Sequence, residues 1–298
     1  MTATSNVAVI GLGSMGYGIA QSILRAGHKV HGYDVNETNV QRFAAEGGAA
    51  GALQDVASTL DIVLVCVLNT KQTESVLFAG PAPLVASLTR DTVVIACATV
   101  PPDFARDMAA RCLEHGVSYL DAPMSGGSLK AANGELTYMA SGTSLAFERA
   151  QPALDASAQK VFKVGDEAGA GSAMKAVNQM LAGVHIAAMA EALTFGITQG
   201  VAPKDFLEII SQCAGTSWML ENRAPHIVNG DYTPHSSVDI WPKDLGIVMD
   251  IAHSASFSAP LTAAALQQFI AASGSGLGQE DDAAVAKVYA RNAGIELP

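Results

Sequence analysis

A short glycine-rich run, Gly11-Leu12-Gly13-Ser14-Met15-Gly16, stands between an apolar stretch at residues 7–10 and a segment with helical spacing. That order, strand then glycine turn then helix, constrains this chain more than any other feature. Glycines permit a tight turn and a close backbone approach, and the helix behind them offers N–H groups and a positive dipole end to a pyrophosphate. The second apolar stretch ends in Asp34, 18 residues after Gly16, where an acidic side chain can accept hydrogen bonds from adenosine ribose hydroxyls. Its charge repels a 2′-phosphate, and no Arg or Lys between 35 and 41 offsets it. The expected cofactor is therefore NAD rather than NADP.

The rest of the first 165 residues continues the pattern. Runs rich in Val and Ile at 7–10, 30–33, 62–67, 92–96 and 118–121 read as strands, with amphipathic helices at 17–26 and 103–115 between them. Continuously apolar strands alternating with helices predict an α/β fold, a doubly wound parallel sheet of Rossmann type. Residues 137–140 and 160–164 are expected to extend that sheet. Beyond Gly165 the strand signal fades. One long helix is expected over 172–199, then helices over 203–213, 241–256, 260–273 and 280–293, the last with Glu280, Asp281 and Asp282 in its first turn. The expected organisation is a dinucleotide-binding domain at 1–165 and an all-α substrate and oligomerisation domain at 166–298.

Composition narrows the partners. Of 298 residues, 49% are hydrophobic and 15% charged, which excludes a disordered chain, and the net charge of −11 makes a poor partner for nucleic acid or anionic lipid. Residues 166–298 hold 6 basic and 14 acidic side chains, so each lysine there is one of few cations. Cys66, Cys97, Cys112 and Cys213 have no metal-binding or redox spacing, and the seven histidines have no metal-ligand spacing, so no metal is expected. The N-terminal residues lack a basic leader and no apolar run reaches ~18 residues without interruption, so a cytoplasmic location and no membrane partner are expected.

Residues past the carboxyl ends of parallel strands line the ligand crevice. That rule places Leu68 and Asn69 after the third strand, and Thr99 after the fourth, beside the cofactor. After the fifth comes Asp121-Ala122-Pro123-Met124-Ser125-Gly126-Gly127, where paired glycines beside a serine can expose N–H donors to a carboxylate. The long helix opens with Gly169-Ala170-Gly171-Ser172 and carries Lys175 and Asn178 on one face. A lysine in a first helical turn, among small and apolar neighbours, suits proton transfer. His185, ten residues further along, lies about 80° around the helix and ~15 Å away, and reads as a packing residue.

The glycine loop, the 121–127 segment, the helix start with Lys175 and Asn178, and Lys243-Asp244-Leu245 occur in an order that resembles the β-hydroxyacid dehydrogenases. That family includes 3-hydroxyisobutyrate dehydrogenase and tartronate semialdehyde reductase. The resemblance spans essentially the whole chain. It implies Lys175 as the catalytic acid/base, Ser125, Gly126 and Gly127 as the carboxylate site, Asn178 as a substrate ligand, and Thr99 and Lys243 at the cofactor. Ala98 departs from it, since many relatives have Ser there. The segments 214–223, 230–234 and 279–282 resemble members that oxidise the C2 hydroxyl of a four-carbon sugar acid. The resemblance also implies a small hydroxy acid substrate and a homodimer or homotetramer. A non-catalytic dinucleotide-binding module would not need the intact Lys175.

Overall fold

The computed structural model describes residues 4–49, 51–81 and 83–298. Five strands run parallel: β1 (Asn6–Ile10), β2 (Lys29–Tyr33), β3 (Ile62–Val65), β4 (Val93–Ala96) and β5 (Ser118–Asp121), in the order β2-β1-β3-β4-β5. Alternate residues feed two separate cores. Val7, Val9, Ile62, Leu64, Val93, Ile95 and Leu120 pack on one face of the sheet, while Ala8, Ile10, Val63, Val65, Val94, Ala96 and Tyr119 pack on the other. Both faces are covered, which is why these strands are apolar throughout rather than alternating.

The sheet then departs from the all-parallel expectation. β6 (Met124–Ser125) pairs antiparallel with β7 (Leu136–Ser141), and β7 also lies antiparallel to β5 through Asp121 and Ser141. The chain doubles back through β6 and one short helix instead of making the long crossover that a parallel pair requires. β8 (Ala158–Gly165) returns parallel to β7. A strand of two residues leaves no periodicity to read, so β6 was invisible in the sequence.

The helices of this first compact unit are α1 (Gly16–Arg25), α2 (Glu37–Ala45), α3 (Leu53–Val56), α4 (Thr70–Phe78), α5 (Leu84–Ser87), α6 (Pro102–Glu114), α7 (Gly127–Asn133) and α8 (Ser144–Ser157). Then comes α9 (Ala170–Thr198), along which the first unit ends at Lys175 and a second begins at Ala176.

The second unit is built on the rest of α9 with α10 (Pro203–Ile210), α11 (Trp218–Asn229), α12 (Ile240–Ser254), α13 (Pro260–Ala272) and α14 (Ala286–Ala293). α9 has the length and apolarity of a membrane span, yet Ile186, Met189 and Leu193 are buried in this unit's core with Phe206, Leu245 and Phe269. Trp241 stacks on Phe269 with ring centroids 5.4 Å apart. α11 was not anticipated, because Pro225 and the polar run Glu221-Asn222-Arg223 obscure its period. The helix expected over 280–293 is instead a tight turn at Asp282–Val285 followed by α14. Asp281 and Asp282 are not exposed first-turn acids. Both are fully buried, with Asp282 accepting from Arg223 Nε at 2.5 Å and from Trp241 Nε1 at 2.9 Å.

Removing the ring at the centre of this core creates a cavity that the surrounding helices cannot collapse into. Phe269→Ala should lower the unfolding free energy by about 3–5 kcal/mol, measured by urea denaturation; a loss below about 1 kcal/mol would show that the site repacks freely.

Candidate active site

The glycine turn follows β1 as expected, and each glycine has its own reason to lack a side chain. Gly11 has φ +96°, and a Cβ there would lie 2.5 Å from the Cys66 carbonyl oxygen. A Cβ on Gly16 would overlap the Gly11 carbonyl. Gly13 differs: apart from its chain neighbours, none of the described residues lies within 4 Å of where its Cβ would be, so the peptide presents a bare backbone to the space a pyrophosphate requires. Ser14 and Met15 complete the turn, and α1 starts at Gly16.

Asp34 stands at the end of β2. Its Oδ2 accepts from Leu12 N at 2.6 Å and its Oδ1 from Asn36 N at 2.7 Å, so the carboxylate ties the glycine turn to the neighbouring strand end. An ionised carboxylate has about four acceptor positions, which leaves capacity for ribose hydroxyls. Arg42 lies over the Tyr17 ring, 4.2 Å from its centroid, and pairs with Glu46. These residues fit NAD.

At the next strand ends, Leu68 is exposed and its N–H donates to Gln72 Oε1 at 2.8 Å, while Asn69 caps α4 by accepting from Gln72 N at 2.9 Å. Thr99 is half-buried after β4, beside the buried Ala98. Cys97 is buried and Cys66 half-buried, and all four cysteines are free thiols.

The end of β5 carries a dense polar network. Asp121 is only 1% exposed, yet its carboxylate accepts four hydrogen bonds. Oδ2 takes Gly169 N and Ser172 N, each at 2.9 Å, and Ser141 Oγ at 3.3 Å; Oδ1 takes Ser172 Oγ at 2.7 Å. Ser141 Oγ also accepts from Gly171 N at 2.9 Å. These N–H groups belong to the start of α9, which would otherwise leave them buried and unpaired. The helix consequently begins at Ala170, earlier than the sequence indicated. Lys175 therefore sits in the second turn, not the first, where the helix dipole has largely decayed.

Lys175 reaches back to the same loop. Its side chain is buried, with 8% of the residue exposed, and Nζ donates to the Met124 carbonyl at 2.9 Å. Met124 precedes Ser125, Gly126 and Gly127, so the ammonium is held one residue from the proposed carboxylate cradle. Gly126 (φ +139°) precedes the first turn of α7, with the space for a Cβ closed by Lys130 and Leu136 at 3.0 and 3.1 Å. Gly127 (φ +77°) has, apart from its chain neighbours, none of the described residues within 4 Å of its Cβ position. The open position of the cradle is thus Gly127, which the sequence alone did not separate from Gly126.

In the second unit, Asn178 is half-buried and its Nδ2 donates to Gln179 Oε1 at 2.9 Å. Lys243 pairs with Asp244 at 2.7 Å. His185 is half-buried, and among the described residues no cluster of three His, Cys, Asp or Glu side chains could hold a metal. Sequence reasoning missed Asp121, Ser141, Ser172 and Gln179 as functional supports; only the conjunction of a strand-end Asp with a Gly-x-Gly-Ser helix start could have signalled the first three.

A parallel sheet whose glycine turn offers bare backbone beside a strand-end aspartate defines an NAD-binding dehydrogenase of Rossmann type. More narrowly, the chain belongs to the β-hydroxyacid dehydrogenase family, and it is an NAD-dependent oxidoreductase acting on CH–OH groups. Residues 6–165 match the profile of the NAD-binding domain of 6-phosphogluconate dehydrogenase, and residues 169–289 that of the NAD-binding domain of NADP-dependent 3-hydroxyisobutyrate dehydrogenase. An L-threonate dehydrogenase of Cupriavidus necator is 51% identical over 98% of both chains. One of Escherichia coli K12 is 45% identical over 98% of this chain and 96% of its own. A crystal structure described as 3-hydroxyisobutyrate dehydrogenase from Salmonella typhimurium is 43% identical, with a TM-score of 0.89 over 95% of this chain and 99% of its own.

Two outcomes follow from the geometry. Asp34→Ala should move the ratio of kcat/KM for NAD over NADP towards NADP, from a wild type that prefers NAD; a wild type preferring NADP, or an unmoved ratio, would contradict the role of Asp34. For Asp121, burial pushes the carboxyl above the ordinary carboxylate range, opposed by the bonds from Ser172, Gly169 and Ser141. A raised folded-state pKa means full stability below the unfolded value and loss as pH rises through the folded one. The melting temperature of the wild type minus that of Asp121→Asn should therefore fall as pH is raised from about 4, and then level off. A difference that rises with pH would contradict the sign.

Proposed function

We propose that the protein oxidises the C2 hydroxyl of L-threonate to the 2-oxo acid with NAD, using Lys175 as the general acid/base. The observation that carries this is the buried Lys175 Nζ held at 2.9 Å against the carbonyl of Met124, next to the Ser125-Gly126-Gly127 cradle. The choice of substrate is supported by several L-threonate dehydrogenases at 44–51% identity over nearly the whole chain.

The backbone N–H groups of residues 125–127 receive the substrate carboxylate, and Ser125 adds a hydroxyl. That anchors one end of a short acid and leaves its hydroxyl facing Lys175. Lys175, as the neutral amine, takes the hydroxyl proton while the carbon loses hydride. The bound nicotinamide supplies the redox chemistry by accepting that hydride. The protein contributes orientation and the proton transfer. Asn178, one turn along α9, holds the substrate, and Gly11–Gly16, Asp34, Leu68, Asn69, Thr99 and Lys243 serve the cofactor.

On this reading residues 1–165 bind NAD, and 166–298 serve substrate and assembly. A cytoplasmic homodimer or homotetramer is part of the proposal. It is supported by the four free thiols and by the exposed Val177, Leu181 and Phe195 on α9.

A panel of L-threonate, 3-hydroxyisobutyrate and tartronate semialdehyde, followed at the NADH absorbance, tests the substrate. The highest kcat/KM should fall on L-threonate. A maximum on 3-hydroxyisobutyrate would instead agree with the description of the Salmonella typhimurium structure. Lys175→Met keeps the aliphatic stem and removes the proton acceptor, so kcat should fall about 10²–10⁴-fold with NAD affinity close to wild type. Retention of more than about a tenth of the activity would remove Lys175 from the mechanism.

A further inference from the structure

The second unit contains a chain of polar contacts in which two buried side chains, Gln179 and Asp244, have no role in the chemistry above. Asp244 is 2% exposed, a carboxylate near the start of α12. Its Oδ2 accepts from Gln179 Nε2 at 2.5 Å, and its Oδ1 faces Lys243 Nζ at 2.7 Å. Gln179 is buried too, and its Oε1 accepts from Asn178 Nδ2 at 2.9 Å. The four side chains thus form one line: Lys243, Asp244, Gln179, Asn178.

Such a line has a direction. An ionised carboxylate only accepts, so Gln179 must turn its NH₂ towards Asp244. The amide oxygen of Gln179 then points the other way and can only accept. Asn178 must in turn offer Nδ2 to it, which faces Oδ1 of Asn178 away from Gln179. Reversing Gln179 would set its oxygen against the Asp244 carboxylate, and reversing Asn178 would set two amide oxygens together. Each reversal leaves buried acceptors without donors, which is costly. The ammonium of Lys243 lies against the other oxygen of Asp244, at the head of the line.

We propose that Asp244, acting through Gln179, fixes the orientation of the Asn178 amide, so that Asn178 meets the substrate with its carbonyl oxygen and accepts a hydrogen bond from a substrate hydroxyl. This rests on the reading above that Asn178 contacts the substrate. Gln179 and Asp244 are then positioning residues. The site is selective for acids that present a hydroxyl donor to Asn178, as a polyhydroxy acid does. A free asparagine amide would accept or donate indifferently.

The test is a double-mutant cycle on the full-length enzyme with L-threonate at saturating NAD. Asn178→Ala should lower kcat/KM, and Gln179→Leu should lower it roughly 3- to 10-fold, the effect of one neutral hydrogen bond. Adding Gln179→Leu to Asn178→Ala should cost nothing further, and the NAD dissociation constant of Gln179→Leu should stay within about twofold of wild type. Asp244→Asn keeps the shape and removes the sign, so it should repeat the loss in kcat/KM and its absence on top of Asn178→Ala; it carries the test if Gln179→Leu does not fold. Losses that add in the double variants would overturn the relay, as would a wild-type Gln179→Leu beside an impaired Asn178→Ala. An unimpaired Asn178→Ala would instead overturn the assignment of Asn178 to the substrate, and the relay with it.

Discussion

The Asp121 carboxylate, buried at the end of β5, is the interaction on which the chemical site depends. Burial alone would penalise its charge heavily. Four donors offset that penalty, and three of them come from Gly169 and Ser172 at the start of α9. The bond therefore runs between a sheet end and a helix start, and it sets where the helix begins. Lys175 follows from that starting point, one turn further on, close enough for Nζ to return to Met124. The loop 121–127 and the helix start 169–175 are closed against each other twice, once through a carboxylate and once through an ammonium. Gly171 completes the join, because a Cβ there would overlap the Met139 carbonyl and lie 2.7 Å from that of Asp121.

The same sheet organises both halves of the chemistry in the first unit. The first-unit residues proposed for the cofactor follow β1 to β4 and the proposed carboxylate cradle follows β5, all at the carboxyl ends of parallel strands. Asp34 performs for the glycine turn what Asp121 performs for α9. It takes a backbone N–H from Leu12 across the gap between two elements and holds the turn in register. Two aspartates at strand ends thus hold the two loops proposed to meet ligands. Neither is a spectator, and each has acceptor capacity that the fold itself uses first.

Much of this was legible in the sequence because the relevant signals are local. β5 was read to the residue, and the glycine turn could be placed between β1 and α1 because strand, turn and helix are contiguous. Residues 62–67 were read as one strand, whereas β3 ends at Val65; an apolar run does not reveal where pairing stops. The reversal of β7 was hidden because strand direction depends on a two-residue hairpin partner. The role of Asp121 was hidden because its donors lie at Ser141, Gly169 and Ser172, far away in sequence. The burial of Asp282 was hidden for the same reason, since Arg223 and Trp241 reach it only through the fold. Periodicity reports which face is buried, not which distant polar group satisfies a buried charge.

The central claim is that the hydroxy acid is held by its carboxylate on residues 125–127 with its hydroxyl at Lys175. A crystal structure of the wild-type enzyme with NADH and L-threonate addresses it directly. The carboxylate oxygens should lie within about 3.2 Å of the backbone N–H groups of that turn, and the C2 hydroxyl at a similar distance from Lys175 Nζ. A carboxylate bound elsewhere, or a C2 hydroxyl facing a different side chain with Lys175 still on the Met124 carbonyl, would contradict it.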